Sequence, residues 1–489
     1  MSIANTMLHL DQTTKPQRMK NKSKQGRKAK KIRSYQYEIS EDSVSSFGGL
    51  SLTEYLANRL GLWKNLQDQV PDRQGKYERN DIIRGAVNGL LSGSRGTASL
   101  SEIAEDAAIL KLLGIKELPG EKIFWEELER LGTDTVLESL NKVLSQWACK
   151  LLQRCNQAEW LNPYGFIPVF GDGSLLEGSG RREGTKSIPG KGTGLMWSNW
   201  FVGPVMATQH LSAAAEGEQK GLMDKLDLLL EELIEPLGWR SKSLFLMDSL
   251  HGDGPTLDKL EAEKLYYVIG ANKLKAAQRV LEELPEWQWQ DVSEKERRSD
   301  CQAEQTCVCS VQCSGWPDKR LLVGKRFKRE GELIWNTVSV ITNLPSARLQ
   351  ESSQNDPGFA RKVWQLYSSK MGMENHFKDV LIDLSGHRVP CSKLLHNRGY
   401  YALLSLAYNL SRGVDLIGGR TLRGEKRRRC KAHKRAPAKW MRIWNLRRRL
   451  FSLPARIIVH ARKASLRFLG GGKSNLKLFE SYWKAIARC

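Results

Sequence analysis

The chain of 489 residues carries 77 Lys and Arg against 54 Asp and Glu, a formal net charge of +23, with 40% hydrophobic residues. That length and apolar content suit two to four domains with true cores and exclude a disordered chain, and the charge draws polyanions, nucleic acid first among them. No apolar run approaches the roughly 18 residues of a membrane-spanning helix, the N-terminus lacks a signal-peptide core, and the nine cysteines suit reduced thiols rather than a disulfide framework, so the expected setting is cytoplasmic with no membrane partner.

Residues 1–36 read as a basic, disordered tail, either simply solvated or lying along phosphates. Residues 37–160 show apolar positions at three- and four-residue spacing and are expected to form a helical, DNA-binding domain. Ser99-x-x-Glu102 has the form of a capping box, and Gly114 can close the helix it opens. The stretch LLSGSRGTASLSEIAED could be a helix-turn-helix or plain scaffolding.

From Pro163 the texture changes to apolar runs rich in β-branched and aromatic residues. GFIPVFGDGSLL predicts one strand and LMWSNWFVGPVMATQHL two. The Gly-rich loop between them holds Arg181, Arg182, Lys186 and Lys191 and is either a phosphate-contacting hairpin or an ordinary connection. An amphipathic helix, the strand LFLM, the helix PTLDKLEAEK and the strand LYYVIGA follow. The order β-β-β-α-β-α-β predicts a mixed sheet with flanking helices.

Alternating runs with Trp287, Trp289, Trp316 and Trp335 then predict a β-rich insertion at about 275–345. Within it Cys301, Cys307, Cys309 and Cys313 lack any CxxC pair and read as packed thiols on a half-buried strand rather than zinc ligands. A helix over 357–384 and a buried helix over 397–417 complete a domain expected to span 161–415. Residues 416–489, with KRRRCKAHKR and NLRRRL, predict a basic C-terminal helical region suited to DNA or to a membrane surface.

The chemistry centres on acids placed against apolar runs. Asp172 follows IPVF after one Gly, and Asp248 ends LFLM. Carboxylates crowded at strand ends repel and are kept where a cation neutralises them, although each could also be a turn or capping residue. Asp253 and Glu177 are the rival acids, and His251 reads as a turn residue. On the helix 357–384, Leu366, Met373, Phe377, Val380 and Leu384 form an apolar stripe, with Tyr367, Lys370, Glu374 and Lys378 on a separate stripe roughly 80° wide. Glu374 then either faces the strand ends from the edge of the core or belongs to a solvated Lys370–Glu374–Lys378 ladder.

At these residues the sequence resembles the DDE transposases of bacterial insertion sequences, specifically the insertion-sequence-four superfamily. That group is similar in its first Asp on the first strand, its second Asp closing the fourth, its β-rich insertion and its helix with Tyr-x2-Arg-x3-Glu-x6-Lys. Here the helix reads YSSKMGMENHFK, with Tyr367, Lys370 and Glu374 in matching positions. Arg is replaced by Lys370, and the final Lys position is Leu381, with Lys378 about one turn earlier. The following LSGHRVPCSKLLHNRGYYALLSLAYNL also resembles the sequel of the motif in one subgroup. The resemblance covers roughly residues 45 to 415.

The resemblance implies an α/β, ribonuclease-H-like mixed sheet with flanking helices, a β-rich insertion and an N-terminal all-helical domain. It implies an enzyme that cuts transposon ends and joins them to target DNA, with Asp172, Asp248 and Glu374 holding two Mg2+ ions about 3.5 to 4 Å apart, for which Mn2+ can substitute. Lys370, Lys378 and Arg388 are assigned to DNA phosphates, and Tyr367 to the end DNA. Trp316 and Trp335 are either base-stacking residues near the cut or ordinary core. The expected partners are double-stranded terminal repeats, target DNA and a second copy in a DNA-bound homodimer, in a bacterial nucleoid. The competing functions are a non-catalytic DNA-binding protein derived from a transposase and a metal-dependent nuclease of related fold.

Overall fold

A computed structural model of the chain describes residues 44–190, 192–297, 299–420, 423, 440–460 and 463–489. The expected basic tail 1–36, Lys191 and the KRRRCKAHKR run lie outside the described residues.

After a two-residue strand β1 (Val44–Ser45) the chain forms helices α1 (Ser51–Arg59), α2 (Leu62–Gln69), α3 (Arg79–Ser92), α4 (Ser99–Ala104), α5 (Ala107–Leu113), α6 (Glu121–Leu131) and α7 (Asp134–Gln153). Local signals set several ends. Asp106 caps α5 by accepting from the Ile109 N–H, and Gly114 closes it in the left-handed conformation at φ +70.

The central sheet follows, with β2 (Ile167–Glu177), β3 (Lys186–Ile188), β4 (Gly192–Val202) and β5 (Val205–Ala213). Two short helices, α8 (Glu218–Met223) and α9 (Leu226–Leu229), lead to β6 (Ser243–Met247), α10 (Gly254–Ala262), β7 (Tyr266–Gly270) and α11 (Lys275–Glu282). Then come β8 (Gln290–Asp291), β9 (Cys301–Val311), β10 (Arg320–Arg329) and β11 (Asn336–Thr342). The strands lie in the order β3-β4-β2-β6-β7-β11-β10-β9-β8, with β5 also paired to β4, from Leu195 to Val202. β2, β6 and β7 are mutually parallel, and the remaining neighbours are antiparallel. The expected strand and helix order from β2 to β7 is present with two differences: the Gly-rich loop after β2 contains the short strand β3, which pairs with β4, and the single amphipathic helix is broken into α8 and α9. The β-rich insertion is an extension of this sheet, because β11 pairs with β7 through Val340 opposite Gly270.

The helix expected over 357–384 is instead interrupted. α12 (Pro357–Ser368) ends in a 3-10 turn at Ser369–Gly372, after which α13 (Met373–Lys378) begins. α14 (Leu394–Gly413) is buried almost throughout. The C-terminal region is not wholly helical: after α15 (Ile443–Leu446), β12 (Ala455–His460) and β13 (Lys463–Phe468) form an antiparallel hairpin, and α16 (Gly472–Ala487) ends the chain. β1 pairs with β12, so the first described strand and the C-terminal hairpin make one three-stranded sheet.

The N-terminal helices are not a separate unit. One continuous core joins them to the central sheet. The Ser145 hydroxyl of α7 donates to the Ala207 carbonyl of β5 at 2.8 Å, and Asn141 accepts from the Gln209 N–H at 2.9 Å. α14 lies tight against α6, where a Cβ on Gly399 would come within 2.3 Å of the Leu128 carbonyl oxygen. Among the described residues no helix is long and apolar enough to cross a membrane.

Candidate active site

The parallel ladder between β2 and β6 ends with Gly171 opposite Met247. The next residue on each strand is an aspartate, so Asp172 and Asp248 leave the ladder side by side at the carboxyl end of the parallel strands. β7 extends the row, since Met247 faces Ile269 and the following Gly270 comes next to Asp248. Asp172 does not end its strand, as the sequence suggested. β2 runs on to Glu177 against β4, and what stops at Asp172 is its parallel partner. Gly171 is required because a Cβ there would lie 2.6 Å from the Trp200 ring.

α12 brings Tyr367 over this row. Its hydroxyl lies where a Cβ on Gly270 would be 2.7 Å away. Burial first, then the Asp248 and Asp172 carboxylates, push that phenol up to about 12, so it stays a neutral donor facing two acids. From the adjoining 3-10 turn Lys370 extends its ammonium to within 3.0 Å of Asp172 Oδ2. Asp172 Oδ1 accepts from the Gly173 N–H at 3.0 Å, and Asp248 Oδ1 from the Leu250 N–H at 2.9 Å.

Two neighbours carry more than sequence reasoning assigned them. His251 does sit in the turn after β6, but it is wholly buried, with Nε2 3.7 Å from Asp248 Oδ1. Asn199, directly opposite Asp172 on β4, is also fully buried, and its Oδ1 meets no donor among the described residues. Nothing in the local pattern of LMWSNWFV marked it, because its importance comes from the β2–β4 register.

Glu374 is not gathered with the two aspartates. Its side chain is 65% exposed and pairs with Lys378 at 3.6 Å. α13 docks through Met373, His376 and Phe377, with His376 stacked on Phe201 and Phe377 edge-on to Trp197. At 100° per residue Glu374 lies roughly 110° from the centre of that buried stripe. The 3-10 turn adds to the offset: about 20° of extra rotation per residue over Ser369–Gly372 carries Glu374 off the line of Tyr367 and Lys370. The expected common stripe of Tyr367, Lys370, Glu374 and Lys378 is thus split in two. Among the described residues no three His, Cys, Asp or Glu side chains form a metal-sized cluster.

The rival acids have other duties. Asp253 caps α10 by accepting from the Thr256 N–H at 3.3 Å. Glu177 is tied by its backbone to His387 and Val389, which sets exposed Arg388 beside the far end of β2. Trp316 is a core residue, not a base-stacking one: it is 8% exposed, packs where a Gly254 Cβ would lie 3.0 Å from its ring, and is covered by Arg320 at 4.6 Å. Trp335 is half-buried near the β10–β11 turn, with Arg326 and Lys328 at 4.7 and 4.9 Å from its ring centre.

Residues 206–488 match the family described as transposase DDE domain group 1. The chain belongs to this family of DDE transposases. It is a DNA transposase, an enzyme that breaks and rejoins phosphodiester bonds, binds DNA and works with divalent metal ions. The matched segment takes in Asp248 and Glu374 and begins after β2, so Asp172 enters the site by its ladder register with β6. No curated protein sequence matches the chain. Among solved structures the transposase is similar to a piggyBac transposase in a cryo-EM synaptic complex with hairpin DNA, at 13% identity over 83% of this chain and 80% of that one, with a TM-score of 0.34. The adjacent carboxylates of Asp172 and Asp248 are hard oxygen donors that fit a divalent cation, and one of them already holds the Lys370 ammonium.

Proposed function

We propose that this transposase cleaves transposon-end DNA and transfers the strand to a target at the carboxyl ends of β2 and β6, with Asp172, Asp248 and Glu374 as the acidic set. The observation that supports this most directly is the Gly171–Met247 rung, which puts two aspartates from distant segments side by side beneath Tyr367 and Lys370. Asp172 and Asp248 would hold two Mg2+ ions, with Mn2+ as a substitute. When bound, these supply Lewis acidity at the scissile phosphate and lower the pKa of an attacking water or 3′-hydroxyl. Glu374, held off the strand ends by the 3-10 turn at Ser369–Gly372, would complete the set only through a change at that turn when DNA and metal bind.

The chain's own groups then position DNA. Lys370 balances Asp172 in the free enzyme and can move to a phosphate oxygen once that carboxylate is otherwise neutralised. Tyr367 remains a neutral hydroxyl donor to the end DNA. Lys378 and Arg388, both exposed, extend the cationic surface along the phosphates, and Trp335 offers a ring for a base unstacked near the cut. The working partners in this reading are double-stranded terminal repeats, target DNA and a second copy of the chain.

The test is cleavage of duplex DNA from the flanks of the reading frame, with Mg2+ or Mn2+, by wild type and by Asp172→Ala, Asp248→Ala and Glu374→Ala. Each substitution is expected to remove cleavage while leaving duplex binding. Wild-type cleavage by all three variants would falsify the site. Loss in Asp253→Ala with retention in Asp248→Ala would move one ligand.

A further inference from the structure

A second cationic surface lies in the C-terminal region, and none of the strand-end residues lines it. α16 carries Lys477, Ser481, Lys484 and Arg488 at spacings of three and four residues, hence on one side of the helix. Lys477 and Ser481 wall a cleft of about 740 Å³, across which stand Arg448 and Arg449. The same two residues, with Lys484 and Arg488, wall a second cleft of about 780 Å³ whose other side carries Arg154 and Arg420. Because the clefts share Lys477 and Ser481, they form one groove along α16.

The charge in this groove is largely uncompensated. Lys477, Arg488, Arg154 and Arg420 are exposed and form no ion pair among the described residues. Arg448 lies over the Trp444 ring at 4.9 Å. Lys484 pairs with Glu480 at 2.6 Å, but both side chains are about two-thirds exposed, and such a pair is worth little against a polyanion. Asp415 at the groove wall is already engaged by Arg412, Arg423 and Tyr482. Like charges left this close repel unless a polyanion joins them.

We propose that this groove binds the backbone phosphates of duplex DNA outside the cleavage site, independently of base sequence. The inference rests on the proposed transposition reaction and says where its double-stranded DNA lies. The rise from Lys477 to Arg488 is roughly 16 Å, about five phosphate steps along one strand. The stripe holds only ammonium, guanidinium and hydroxyl donors, the groups that contact phosphate oxygens.

The test measures binding of a fluorescein-labelled random-sequence duplex of about 40 base pairs, several times the length of the groove, by full-length protein over a salt series. The Lys477→Ala/Lys484→Ala/Arg488→Ala variant is expected to reduce the slope of log K against log salt by between about two and three, near 0.9 per lost phosphate contact. Lys477→Arg and Lys484→Arg, checked with the triple variant for a wild-type melting profile, are expected to keep the slope. A folded triple variant with the wild-type slope overturns the groove while leaving the catalytic reading intact. Wild type that shows no salt-dependent binding sinks both, whereas duplex binding without cleavage by wild type removes the catalytic reading alone. Loss of binding to phosphatidylserine vesicles with duplex binding unchanged would also overturn the DNA assignment.

Discussion

The Lys370 ammonium lies 3.0 Å from Asp172 Oδ2, the contact a cation would make at that carboxylate. Removing it leaves Asp172 and Asp248 adjacent without their internal counter-ion. Lys370→Ala is therefore expected to show a larger rise in melting temperature on adding Mg2+ than wild type does. It should also cleave end DNA about a hundred- to a thousandfold more slowly, because a donor to the phosphate is lost. Thermal melts with and without Mg2+, alongside a cleavage time course, measure both effects. An unchanged response to Mg2+ would show that Lys370 does not occupy the cation position.

Gly270 is shaped around Tyr367. A Cβ there would meet the Tyr367 hydroxyl at 2.7 Å and the Ser249 backbone nitrogen at 2.8 Å. Gly270→Ala should cost about 1–3 kcal/mol and lower cleavage by displacing Tyr367. Adding Tyr367→Phe should recover only part of the stability, since the backbone clash remains. Full recovery in the double variant would place the whole strain at the tyrosine.

His376 is buried between Phe201 and Tyr408, with Nδ1 3.0 Å from the Tyr408 hydroxyl. Burial, and secondarily the Arg412 charge, lower its pKa from 6.5 to about 3. The unfolded chain therefore binds this proton first. Its stabilising contribution is fully present above pH 6.5 and is lost as pH falls toward 3, at up to about 1.4 kcal/mol per pH unit. His376→Gln should flatten that acid limb relative to wild type. Parallel pH curves for the two proteins would rule the histidine out as its source.

Arg412 is fully buried and bridges Asp379 and Asp415. Arg412→Met leaves both carboxylates in a dry environment with fewer cations, although Arg442 and Arg423 still contact them. The expected cost is about 3 kcal/mol, visible as an earlier urea midpoint. A neutral outcome would mean that the remaining arginines suffice.

Trp316→Ala removes a buried ring beneath α10 and should cost about 3–5 kcal/mol. Trp335→Ala, at a half-buried position, should cost less and weaken binding of a duplex carrying an unpaired base. Equal effects of the two variants on that duplex would remove the distinction.

Much of this molecule was legible from local patterns. Apolar spacing found the N-terminal helices, most of the strand and helix order from β2 to β7 and the antiparallel character of 301–342, because side-chain periodicity is set within a few residues; it missed the short strand β3 and the break between α8 and α9. The apolar runs before Asp172 and Asp248 marked both acids, and YSSKMGMENHFK marked Tyr367 and Lys370. Contacts between distant segments were another matter. The Gly171–Met247 register, the burial of Asn199, His251 and Trp316, and the pairing of β1 with β12 depend on which strands and helices meet. The basic C-terminal run read as helix because its charge masked the alternation in ARIIVH and KASLRF, which becomes a hairpin once β1 and the helices around it supply a surface. Glu374 shows the division most clearly: its residue type and spacing were determined by the sequence, but its direction was decided by a 3-10 turn. There the docking of His376 and Phe377 on β4 outweighs the continuous α-helix that local propensity favours.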